Sequence, residues 1–225
     1  MEDMDFINIW KEQNHSVEKR LVIHETQMRS FIDERVKNSL SSLIKLKAKG
    51  IIGFIIYLLI LVYILVYALS NYSSALNYFI FSVSSITLIN LKGFTDYFKH
   101  IMWINSINYN GSLLEIQKHL TQLQISIIQH TRIMCLQFPF YTTFYLSNKW
   151  FPYEVGNGYL LLQFVITGSF VYLSYWLYKN LIPVNLSKKW FRVIIADSGG
   201  EAIMNALAFY KEIEDFQGNV DQKSS

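Results

Sequence analysis

Three stretches without a single Asp, Glu, Lys or Arg dominate this chain: Ile51–Leu69, Tyr72–Leu91 and Tyr159–Tyr178. Each holds 19 or 20 residues, about the number a helix needs to cross roughly 30 Å of hydrocarbon. A core helix of a water-soluble domain is amphipathic and would break such runs with charge. A shorter charge-free stretch, Ile133–Ser147, reads as a fourth crossing, bounded by Arg132 and kinked at Pro139. The expected fold is all-α: an integral membrane protein with four transmembrane helices and cytoplasmic amphipathic helical extensions.

The basic residues give an orientation. Residues 1–50 carry nine Lys or Arg, 92–132 carry four and 179–225 carry six. The Ser70-Asn71 link carries none, and 148–158 carry Lys149 alone. Basic loops stay in the cytoplasm, so the reading is a multi-pass inner-membrane protein with both termini cytoplasmic. The expected regions are a cytoplasmic N-terminal helical region (1–50), a transmembrane hairpin (51–91) and a cytoplasmic helical hairpin (92–132). Spans three and four follow (133–178, spans 133–147 and 159–178, outer loop 148–158). The C-terminal amphipathic helices occupy 179–225. The acidic start, Met1-Glu2-Asp3, has no basic n-region, so the first span is expected to act as an uncleaved anchor.

Outside the spans, the sequence reads as helix with apolar stripes. Asp5–Glu12 forms a short helix that Asn14-His15 should break. Ser16 then caps a long helix with a stripe through Val17, Leu21, Met28, Ile32, Val36, Leu40 and Leu43. Gly50 is its one hinge. Past Lys92, Phe94, Phe98, Ile101 and Ile104 share a side of an amphipathic segment. Ser112 and Glu115 fit a capping box. The helix they open carries a heptad-like seam, Leu113, Ile116, Leu120, Leu123 and Ile127. Leu186–Ala196 reads as a short interfacial helix. Ser198-Gly199-Gly200-Glu201 is a second capping box, opening a stripe of Ile203, Leu207, Tyr210 and Ile213.

These features bound the function. The lone Cys135 excludes an intrachain disulfide and a cysteine-based metal site. The histidines, His15, His24, His100, His119 and His130, lack the spacing that puts two imidazoles around a metal on one helix face. No nucleophile motif is present, and the basic residues do not cluster as a nucleic-acid footprint. The expectation is a non-enzymatic protein with no cofactor and no metal, whose partners are the lipid bilayer and a cytoplasmic protein. Phe6, Ile9 and Trp10, at i, i+3 and i+4, form a candidate helix-in-groove anchor. The Leu113–Ile127 seam is a second candidate partner surface, able to pair within one chain or in a homo-oligomer. The alternative is a small transporter or channel subunit. It would use a polar stripe of Ser73, Asn77, Ser84 and Thr87 on span two facing Gln163, Thr167 and Ser174 on span four, with Gln137 beside them.

Asp5-Phe6-Ile7-Asn8-Ile9-Trp10-Lys11-Glu12, the long helix before the first span, and Leu136-Gln137-Phe138-Pro139-Phe140 resemble a group of small Bacteroidota four-span membrane proteins. Some of these are encoded beside alternative sigma factors. The resemblance implies a membrane-bound, anti-sigma-like regulator whose cytoplasmic helices hold a transcription factor. The zinc motif of many anti-sigma domains is absent, and no functional residue carries over.

Overall fold

The computed structural model describes residues 2–108, 112–196 and 198–209; within these, the side chains of 2–26, 28, 29, 32 and 113 are outside the description. The described residues are helical throughout, without strands. The main elements are α1 (Glu2–Ser70), α2 (Asn77–Asn105), α3 (Leu113–Met134), α4 (Asn157–Asn180) and α5 (Lys189–Ala196). A further helical segment covers 200–209. Among the described residues, three helices are long and apolar enough to cross a membrane: Asp33–Ser70 within α1, Ser74–Asn105 including α2, and Asn157–Asn180. Their apolar surfaces point outward, with Ile52, Leu59, Tyr63, Leu161 and Phe164 more than half exposed. Such surface is stable against lipid and not against water.

α1 is one helix of 69 residues, about 100 Å long. The break expected at Asn14-His15 does not occur, and Ser16 is internal. Asn and His each disfavour a helix interior by well under about 1 kcal/mol, far less than proline would. Gly50 is not a hinge either. A Cβ there would come within 2.9 Å of Tyr97 Cε1, so glycine lets α2 approach α1 closely.

The polar ends of the helices share one core. Val36, Leu40 and Leu43 of α1 pack with Ile104, Ile107, Ile116, Leu120, Leu123, Ile127, Ile203 and Ala206. Ser112 caps α3 as expected, accepting from the Glu115 amide at 3.3 Å. Gly199 has φ +88° and abuts Leu43; an L side chain would be strained there and would also clash. Ser198 accepts a hydrogen bond from Thr131 Oγ1 at 3.0 Å. Tyr210 and Ile213 lie outside the described residues.

Residues 133–147 depart from the expected α-helical span. α3 runs to Met134 and passes into a 3-10 helix, Cys135–Thr142, followed by turns. Pro139 explains the change. It has no N–H to donate to the Cys135 carbonyl, and its ring opposes the α geometry. Ser174 Oγ of α4 donates to that freed carbonyl at 2.9 Å. The segment lies between α2 and α4 and runs antiparallel to both. Asn90 and Ser82 of α2 bond Gln137 and Thr143; Ser174, Thr167 and Gln163 of α4 bond positions 135 to 145. Gln137 to Thr143 thus matches the height of Asn90 to Ser82, as rises of about 2.0 and 1.5 Å per residue require.

Candidate functional site

The predicted sites are dispersed in the fold. Phe6, Ile9 and Trp10 lie in α1 with side chains outside the description, as does Leu113 of α3. Ile116, Leu120, Leu123 and Ile127 are fully buried against α1 and the 200–209 segment. The seam therefore packs within this chain. Ser73 caps the 3-10 turn Ser74–Leu76. Asn77 accepts from Tyr72 OH at 3.0 Å, and Thr87 donates to its own helix at Val83 O. Ser84 is half-buried. Gln163 donates to Thr142 O at 2.7 Å and to Thr167 at 3.0 Å, and accepts from Tyr145 at 2.8 Å. The α4 stripe therefore bonds the 3-10 segment, which lies between it and α2. Among the described residues, no hydrogen bond joins Ser73, Asn77, Ser84 or Thr87 to α4.

The strongest concentration of chemistry lies elsewhere, where α1, α2 and α3 leave their apolar halves. Lys47 of α1 is completely buried. Its Nζ sits 3.9 Å from the centroid of the Tyr97 ring, a cation–π contact worth about 2 kcal/mol when desolvated. Asp96 of α2, also buried, pairs with half-exposed Lys92 one turn before it. Its other oxygen lies 3.5 Å from His130 Nδ1 of α3, too far for a good hydrogen bond. His100 Nε2 and Ser126 Oγ are 3.0 Å apart, and the His100 and His130 rings meet edge-on at 6.0 Å. Three buried polar atoms without hydrogen-bond partners, Lys47 Nζ, His100 Nδ1 and His130 Nδ1, all belong to this cluster. Burial pushes the His130 imidazole down to about 4, and the Lys47 ammonium adds to the effect, so the ring is neutral near pH 7.

Helices approach closely beside the cluster. A Cβ on Gly93 would meet Met134 Sδ at 2.8 Å, Phe54 Cζ at 3.2 Å and His130 Cε1 at 3.4 Å. Glycine thus lets the three helices converge just above the charges. Beyond Gly93 a polar chain continues into the apolar half. Asn90 Nδ2 donates to Gln137 Oε1 at 2.9 Å, Tyr141 OH donates to the same atom at 3.2 Å, and the Tyr57 and Tyr141 hydroxyls are 3.2 Å apart.

Periodicity misleads on α2. Phe94, Phe98, Ile101 and Ile104 form its most apolar side, yet Phe98 is exposed and Asp96 and His100 are buried. The inward face is Ser82, Ile86, Asn90, Gly93, Asp96, His100 and Ile104. Its three- and four-residue steps were readable, but the charges disguised it as an outward face. His130 continues the heptad-like seam of α3 and is buried, whereas His119 is exposed.

The cluster binds three helices together and offers a buried cation, a buried carboxylate and two imidazoles. Among the described residues, no three metal-ligating side chains converge. In comparisons with protein-family models, curated proteins and solved structures, nothing matches this chain.

Proposed function

We propose that this chain is a non-enzymatic membrane anchor of regulatory or scaffold type, with four crossings and both termini in the cytoplasm. The charge distribution supports the orientation. The path of residues 135–150 supports the fourth crossing, because their contacts run from Ser174 to Tyr159 on α4, about 22 Å of helix.

The observation that carries the regulatory reading is the reach of α1. Its first described buried residue is Val36, which joins the core beside the α2–α3 turn. From there α1 continues back to Glu2, about 50 Å of helix. The seam is used internally, so the proposal places the partner on this arm, at Phe6, Ile9 and Trp10. The Lys47–Asp96–His130 cluster is the joint that fixes this arm to the spans.

Photo-crosslinking amino acids placed at positions 6, 9 and 10 of the full chain, in its membrane, test this. One discrete protein adduct is expected from the arm and none from position 120. Adducts to lipid alone, or none, would remove the reading.

The buried ionisable cluster also favours a second reading, a small transporter or channel subunit, since such groups mark ion paths. In proteoliposomes, Gln163→Leu would then abolish flux while the protein stays folded. Absence of flux in the unaltered protein counts against it.

A further inference from the structure

The polar end of α4 and the whole of α5 make a second charged feature, unlike the buried cluster in being fully open. From Val155 to Ala196 the sequence has no Asp or Glu, but holds Lys179, Lys188, Lys189 and Arg192. α5 turns Phe191 and Ile195 into a core with Leu177 and Leu181. That leaves Lys188, Lys189, Arg192 and Val193 exposed.

The level of this patch is set by aromatic contacts. The Trp190 ring packs on Trp176 at 5.0 Å, so α5 sits beside the last turns of an apolar helix long enough to cross a membrane. Arg132 of α3 meets the same end of α4 at Tyr178, two residues on from Trp176. Its Nε donates to Tyr178 O at 2.8 Å, and its guanidinium lies 4.4 Å from the centroid of the Tyr178 ring. Trp, Tyr, Lys and Arg gathered at the end of a span mark the headgroup layer.

The geometry points to a binding site for the headgroup phosphate of an anionic phospholipid, held by Lys188 and Lys189, with Lys179 at the end of the adjoining span. Two features select a lipid over a free anion. Val184 is 84% exposed and Val193 is 72% exposed; both flank the cations, and acyl chains would cover them where a free phosphate would not. Arg192 contributes less, because its Nε donates to Leu186 O and Glu201 shares the groove beside it.

The test uses the full chain in detergent, titrated with phosphatidylglycerol, phosphatidylcholine or inorganic phosphate, with bound species counted by native mass spectrometry. Phosphatidylglycerol should bind about twenty-five-fold more tightly than phosphatidylcholine. Each lysine removed in K188Q/K189Q should lower that preference about fivefold, whereas K188R/K189R should keep it. Val193→Ser should weaken both lipids alike. Equal binding of the two lipids overturns the site, as does a Gln variant of native helicity and elution that retains the preference. Displacement by equimolar inorganic phosphate, or no effect of Val193→Ser, overturns the assignment to lipid.

Discussion

The two halves of the bundle are held together differently. In the polar half, large aliphatic side chains are completely buried: Val36, Leu120, Ile127 and Ile203 are all 0% exposed. In the apolar half, α1 buries only Leu58, Leu61 and Ala68 among its described residues, and turns most of its Leu, Ile and Tyr outward. Hydrogen bonds do the joining there: Asn90 to Gln137, Ser82 to Thr143, Gln163 to Thr142, and Ser174 to the carbonyl that Pro139 leaves free. The difference follows from the solvent. Water drives apolar side chains together, whereas lipid tails solvate a leucine as well as another leucine does, so polar contacts and close fit must hold helices side by side.

The joint between the halves should be the most sensitive point. Asp96→Asn leaves the buried Lys47 ammonium without the carboxylate that favours its charge, and should destabilise the fold by about 3–5 kcal/mol. Thermal unfolding of the full chain in detergent, followed by circular dichroism, measures it. Adding Lys47→Met should recover much of the loss, because the double change removes the stranded ammonium as well. A double variant no better than Asp96→Asn would show that Lys47 and Asp96 are not coupled.

The next contrast is between equivalent truncations in the two halves. Leu120→Ala should lose about 2–5 kcal/mol, since water cannot fill the cavity favourably. Leu61→Ala should lose about 1 kcal/mol or less, because lipid or detergent tails replace the missing contacts. Equal losses in the same unfolding assay would break the distinction between the halves. Gln163→Leu should fall between them, at about 1–2 kcal/mol. It removes bonds to Thr142 O, Thr167 and Tyr145 together, and its effect should grow when Thr142 O is left without another donor.

Much of this architecture was legible in the residues. The three long spans, the Ser112 cap and the seam of Ile116, Leu120, Leu123 and Ile127 follow from charge-free length, a capping pattern and heptad spacing, each a local signal. What the sequence hid depended on contacts between distant segments. Asn14-His15 looks like a break only when propensity is read without the helix on either side. Pro139 signals a kink, but the Ser174 donor that meets the Cys135 carbonyl comes from 39 residues away. The buried joint was hidden for the same reason. Lys47, Asp96 and His130 each look like solvated surface until α1, α2 and α3 are brought together over Gly50 and Gly93.

The smallest expected effect near neutral pH comes from His130, and it separates the joint from both halves. His130 ionises near 6.5 in an unfolded chain and near 4 in the folded one, where burial and then the Lys47 charge oppose protonation. Between these values the unfolded chain binds more protons than the folded one, so stability rises with pH in this window. Above about 6.5 the group is neutral in both states and contributes no slope; as pH falls toward 4, the unfolded form gains and the fold loses stability. His130→Gln should make the decline between pH 6.5 and 4 shallower while leaving the melting temperature near pH 7.5 almost unchanged. The core of the polar half, built from aliphatic side chains, has no such dependence, so Leu120→Ala should shift the whole pH profile down without altering its shape. An unchanged slope in His130→Gln would place the acid-sensitive group elsewhere, and parallel profiles for both variants would mean that the joint is no more sensitive to protons than the core beside it.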